Sequence, residues 1–145
     1  MSYERLIAEH ALIDAALSRL EALVAVAVPD LPAAIIALAD LSGELAHHLA
    51  HEDSFIYPGL IQGRNPEARR VAERFVADFE ELRDAWNLYL REWTPDCIAG
   101  DWEIFRIETG TMIVRLAQRV KAENALLYAE ALRTGAIPLR DRRAA

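Results

Sequence analysis

Apolar residues recur at steps of three and four along most of the chain, the period of an α-helix, and they do so in four blocks. The stripe of the first block reads Leu6, His10, Ile13, Leu17, Leu20, Val24, and that of the second Leu38, Leu41, Leu45, His48, Glu52, Ile56. The third runs Phe75, Phe79, Leu82, Trp86, Tyr89, Trp93, and the fourth Met112, Leu116, Arg119, Glu123, Leu127. Three breaks part the blocks: VPDLP at 28–32, QGRNP at 62–66 and TPDCIAG at 94–100. Each carries turn residues or prolines that a helix interior does not tolerate. The pattern predicts helices over residues 3–27, 32–61, 66–93 and 101–134, with Gly135 ending the last. Four long helices with short connections predict an all-α fold, an up-down-up-down antiparallel four-helix bundle whose sites are built from facing side chains.

Five polar residues interrupt the apolar stripes: His10, His48, Glu52, Arg119 and Glu123. His10 precedes the first break, and His48 follows it, by similar counts. At about 1.5 Å of rise per residue, an antiparallel pair brings them within a few Å in height. Arg119 and Glu123 follow the third break by a similar count, so polar groups on three helices are expected in one layer. The chain also repeats itself. ERLIAEH, starting at Glu4, is similar to ERFVADF, starting at Glu73, and HLAHEDSFIYP, starting at His48, to RVKAENALLYA, starting at Arg119. The repeat aligns His10 with Phe79, His48 with Arg119, Glu52 with Glu123 and Tyr57 with Tyr128. The first half keeps its histidines and the second has lost them.

Composition narrows the function classes. At 145 residues the chain is expected to be one domain over 1–138, followed by an Arg-rich solvated tail at 139–145. A net charge of −7 argues against nucleic acid as a partner, since phosphate neutralisation needs a Lys/Arg surface. Cys97 is the only cysteine, so no internal disulfide is expected, and MSYERLIAEH is not expected to serve as a cleavable hydrophobic leader. Apolar runs such as ALVAVAV at 22–28 are too short to span a bilayer. A cytoplasmic globule without a membrane partner is expected, with a homodimer left open. No phosphate loop, Ser-His-Asp order or metal-binding cysteine cluster is present.

A histidine early in the first helix, an H-x-x-H-E element (His48 to Glu52) late in the second and a carboxylate on the fourth resemble the hemerythrin-like family of HHE cation-binding four-helix bundles. The resemblance covers nearly the whole chain apart from the tail. It implies a metal centre between the helices, which in the family is a diiron site held by about five histidines and two bridging carboxylates. The corresponding metal ligands here would be His10, His48, Glu52 and Glu123, with Asn124 the alternative to Glu123 if the longer family spacing applies. The chain departs from the pattern on the other side. Its third helix has no histidine, and Arg119 stands where the fourth helix would carry one. The imidazole ligands of one metal position are therefore missing, and reversible oxygen carriage is not expected.

His48 and Glu52 lie one turn apart and project to one side of a helix. With His10 they supply two imidazoles and a carboxylate, a set suited to mononuclear Fe(II) with open positions for dioxygen or another small ligand, or to Zn(II). One metal ion is thus expected, for metal, oxygen or redox sensing or for storage. The alternative is a metal-free bundle serving as a structural or regulatory interaction module. There the histidines bond to Glu52 and Glu123, and Arg119 replaces the second metal by bidentate bonds to both glutamates. His51, one turn from His48, is a substitute ligand or a half-exposed histidine, and His47 points to the surface. Tyr57 and Tyr128 either pack as core or hydrogen-bond the carboxylates. The aromatic stripe Phe79, Leu82, Trp86, Tyr89 reads as core rather than a haem or flavin slot. Nothing in the sequence designates a substrate pocket or a general base, so an enzyme is not the expectation.

Overall fold

The capping residues that close each break decide where the helices start. In the computed structural model, which describes residues 1–142, α1 runs Tyr3–Val24, α2 Leu31–His51, α3 Tyr57–Ile61, α4 Pro66–Glu92, α5 Pro95–Gly100, α6 Trp102–Ala122 and α7 Tyr128–Arg133. No strand occurs among the described residues. The Ser2 hydroxyl accepts from the Arg5 N–H, Asp30 from Ala33, Asn65 from Glu67 and Ala68, and Asp101 from Ile104, each satisfying a first-turn donor the helix itself cannot. Gly135, at φ 74°, takes the left-handed conformation after α7, as expected of a helix-ending glycine.

Two differences from the expected boundaries have physical causes. The third break is not a bare turn. Thr94 caps α5, Pro95 sits where a missing N–H costs nothing, and Ile98 is buried at the end of the core. The first helix stops at Val24 because its last carbonyls are taken from outside: Arg106 donates to the Val24 and Ala25 carbonyls, and Trp102 Nε1 to that of Val26.

The long second and fourth blocks are not uniform α-helix either. Each contains one π-helical turn, Glu52–Ile56 and Glu123–Leu127, and each turn begins with a glutamate. The two turns are 71 residues apart, the offset of the sequence repeat. The Tyr57 N–H bonds the Glu52 carbonyl and the Tyr128 N–H the Glu123 carbonyl, five residues back in both cases. The widened turn lets adjacent residues share the inner face: Ile56 with Tyr57, and Leu127 with Tyr128, are all buried. Such turns inside α-helices are frequent at functional sites.

Helix α1 packs on α2 and α6, and α4 packs on α3, α7 and the second π turn. Contacts climb one helix while descending its neighbour. Arg19 meets Asp40 where His10 meets His48, and Tyr89 meets Thr109 where Arg119 meets Phe75. The apolar core falls into two clusters, one containing Ile13, Leu41, Leu45, Phe79 and Leu116, the other Leu6, Ile56, Phe75 and Leu127. His10, His48, Glu52, Arg119 and Glu123 lie between them, so a polar layer divides the core. No helix is long and apolar enough to cross a membrane among the described residues.

The start of the expected tail lies against α1. The Leu139 carbonyl accepts from the Glu4 N–H and the Arg140 guanidinium pairs with Glu4 at 2.8 Å, while residues 143–145 of that tail lie outside the described residues.

Burial raises the Tyr89 phenol from 10 to about 12, the hydrogen bond with Thr109 working the other way. The folded chain therefore keeps a proton that the unfolded chain releases. The stability this contributes is intact below pH 10 and is lost as pH rises towards about 12. Melting temperature is expected to fall across that window, and the Tyr89→Phe variant to show a shallower fall. An identical slope in both proteins would contradict the assignment.

Candidate metal centre

Three helices deliver the centre. His10 comes from α1, His48 from α2 and Glu123 from the head of the second π turn, and all are buried. His10 Nε2 lies 2.9 Å from His48 Nε2 and 3.0 Å from Glu123 Oε1, and His48 Nε2 lies 3.4 Å from the same oxygen. Among the described residues these three each offer one ligand atom within 4.8 Å of the others. Glu52 stands at the head of the first π turn, fully buried, and joins through His48, with Oε1 3.2 Å from Nε2. That oxygen receives no hydrogen bond despite its proximity.

The outer nitrogens fix what the inner ones can do. His48 Nδ1–H donates to Glu9 Oε2 at 2.8 Å and His10 Nδ1–H to the Asn124 amide oxygen at 2.6 Å. Each imidazole thereby turns its Nε2 atom inward. Two imidazole nitrogens and carboxylate oxygens from Glu123 and Glu52 thus converge in the buried layer. The Tyr128 hydroxyl offers the layer one donor, 3.0 Å from His10 Nε2, 3.1 Å from His48 Nε2 and 3.4 Å from Glu52 Oε2. The rest of the electrostatics asks for positive charge. Burial opposes charging of His48, but the carboxylates of Glu123 and Glu52 outweigh it and raise the imidazole to about 10. Burial likewise opposes the charge on Glu123, yet His10, His48 and Arg119 lower it to about 2. Glu52 is raised, by burial first and then by the neighbouring Glu123 charge.

The donor set fits a first-row metal. Bonds of about 2.1 Å place neighbouring ligand atoms about 3.0 Å apart in an octahedral site and about 3.4 Å apart in a tetrahedral one. The triangle of His10, His48 and Glu123 atoms has sides of 2.9, 3.0 and 3.4 Å. Two imidazoles and a carboxylate on one face are also the set that suits Fe(II) with open positions. The unbonded Glu52 oxygen beside that triangle is a further ligand atom already desolvated and aimed inward.

On the other side of the layer each nitrogen of Arg119 makes a hydrogen bond. Its Nε donates to Glu123 Oε2 at 2.6 Å, one terminal nitrogen to the Phe75 carbonyl at 2.9 Å and the other to the Tyr57 hydroxyl at 2.8 Å. The guanidinium also stacks over the rings of Phe75 and Phe79, 4.7 and 5.0 Å from their centroids. The sequence reading had Arg119 bridging both glutamates; it bonds Glu123 alone, and Tyr57 takes the donor expected for Glu52. Phe79 and Arg119 touch each other as His10 and His48 do, so the repeat holds at the level of contacts. Where one half pairs two imidazoles, the other stacks a cation on an arene.

The remaining candidates sort as follows. Asn124 buttresses the outer nitrogen of His10. His51 is partly exposed and bonds Glu9 through Nδ1, and His47 lies at the surface. Tyr57 and Tyr128 are not merely packing residues, since both hydroxyls enter the network. Glu9 escaped the sequence reading. Its carboxylate bridges His48 Nδ1 and His51 Nδ1, and it is buried at the rim of the layer. The one available signal was its position three residues after Leu6 and four before Ile13, on the edge of the inward face beside His10.

Removing one partner of a buried ion pair leaves the other charge uncompensated, at a cost of about 3–5 kcal/mol. Arg119→Met is expected to lower stability in chemical denaturation by that order, because Glu123 is buried and Arg119 nearly so. A loss indistinguishable from that of a surface substitution would show that Glu123 is neutralised by something else.

Comparisons with curated proteins and with solved structures gave no match. The family model of the hemerythrin HHE cation binding domain matches residues 1–131, which takes in all seven helices but for the end of α7 and every residue of the polar layer. The chain belongs to the hemerythrin HHE cation-binding domain family.

Proposed function

We propose that the protein holds a single iron or zinc ion, with His10, His48 and Glu123 as ligands and Glu52 completing the set, in an up-down-up-down antiparallel four-helix bundle. The observation that carries this reading is the buried Glu52 Oε1, 3.2 Å from His48 Nε2 yet receiving no hydrogen bond. A buried carboxylate oxygen without a hydrogen bond is costly, and a cation displacing the His48 proton would satisfy it while engaging the inward imidazole nitrogens. The topology is supported by the opposed order of contacts along neighbouring helices.

Glu9 and Asn124 would set both imidazoles with Nε2 inward, and Tyr128 would donate to whichever acceptor the ion leaves free. Bound iron would supply a redox-active centre with open positions for a small ligand, and bound zinc a redox-inert one. A second ion has no place in this reading. Arg119 provides fixed positive charge on that side and Phe75 and Phe79 fill the space where further imidazoles would be needed. Sensing or storage of metal, oxygen or redox state follows more naturally from such a half-site than reversible oxygen transport. The competing reading is a metal-free interaction module, favoured by the three hydrogen bonds Arg119 makes, one from each nitrogen, and by the proton affinity of His48.

Elemental analysis of untagged protein after anaerobic reconstitution with Fe(II) or Zn(II) decides between them. The proposal expects one buried metal per chain that resists dialysis and is absent from His48→Ala. Protein that takes up none, or a His48→Ala variant that keeps as much as the parent, would leave the metal-free module as the function.

A further inference from the structure

Outside the buried layer, α2 carries a second pair of histidines. His47 and His51 stand one turn apart on the same helix, and their rings meet edge to face with centroids 4.4 Å apart. Two imidazoles at this spacing on one helical face can chelate a transition metal, as in other helical metal motifs. A third donor comes from the neighbouring helix. Glu9 Oε1 contacts His51 Nδ1 and lies 3.9 Å from His47 Nε2, and the three residues each offer a ligand atom within 4.8 Å of the others.

We infer that Glu9, His47 and His51 form a surface site for one divalent cation of the borderline class, such as Zn(II), distinct from the buried centre. The carboxylate is already in position. Its Oε2 is held by His48 Nδ1, and its side chain is only 10% exposed, so Oε1 faces the two surface imidazoles with little freedom left to lose. A cation binding here takes the place of the hydrogen bond between Glu9 Oε1 and His51 Nδ1. Two nitrogen donors out of three select against Mg(II) and Ca(II), which prefer oxygen, and in favour of Zn(II), Ni(II) or Cu(II). His47 is 63% exposed, so the outer coordination positions open to solvent and are filled by water or by a donor from a partner. The site shares Glu9 with the buried layer but none of its inward-facing ligand atoms.

The test is a calorimetric titration of metal-stripped protein with Zn(II) alone, comparing the parent chain with His47→Ala and His47→Gln. His47 is exposed and makes no contact with the buried ligands, so both variants fold. The parent is expected to bind one more equivalent than either variant, or to bind it at least tenfold more tightly. If parent and variants bind the same number of equivalents with the same affinities, the surface site does not exist. The buried reading is judged separately by the same data. One equivalent in the parent and none in the variants supports the surface site while removing the buried one. One equivalent of the same affinity in every protein removes the surface site and leaves the buried one.

Discussion

Two carboxylates buried at mid-height in a helical core are the constraint around which this molecule is arranged. Glu52 and Glu123 are essentially inaccessible, and an ionised carboxylate in such surroundings must be neutralised or solvated by the protein. The fold meets that demand from two directions. Arg119 reaches Glu123 from α6, and two imidazoles face the carboxylates from α1 and α2. Everything around the layer serves to hold these groups in place. Glu9 and Asn124 hold the histidines from behind, Tyr57 takes a guanidinium donor, and Tyr128 closes the gap over the Nε2 atoms. The apolar core is cut into two clusters above and below because the layer spans the bundle.

The internal repeat explains why the layer has two unlike halves. Each half enters the layer through a glutamate at the head of a π turn and leaves through a tyrosine. The halves differ in the pair that faces the glutamate, two imidazoles in one and an arginine stacked on phenylalanine in the other. Both solutions bring positive charge or its equivalent to a buried anion. The imidazole half can exchange a proton for a metal ion, whereas a guanidinium stays charged at any working pH and bonds in a fixed fork. In the proposed function, asymmetry of this kind turns a two-metal architecture into a one-metal one without changing the fold.

Much of this was legible in the sequence, because the signals were local. Prolines and capping residues marked the breaks, and polar residues on otherwise apolar stripes marked the layer. Its other features depend on tertiary geometry. The π turns carry no propensity signal; they show only as Ile56 with Tyr57, and Leu127 with Tyr128, sharing an inner face that a regular helix would split. Glu9 was missed because its role depends on the crossing of α1 and α2, which sets one carboxylate between His48 and His51. Arg119 was expected to fork across both glutamates, but the reach of its side chain and the aromatic shelf of Phe75 and Phe79 direct one arm to Tyr57 instead. The short helix at Pro95–Gly100 was hidden by its own proline, which reads as a break yet is tolerated in a first turn.

Thermal melting of metal-stripped His47→Ala protein, with and without Fe(II) or Zn(II) under anaerobic conditions, tests the central claim most directly. That background removes the surface histidine pair, so any shift reports the buried layer. A ligand that binds only the folded state stabilises it by about 2.7 kcal/mol when present at a hundredfold excess over its dissociation constant. The account predicts a rise of several degrees that His48→Ala abolishes. A melting temperature that neither ion changes would contradict it.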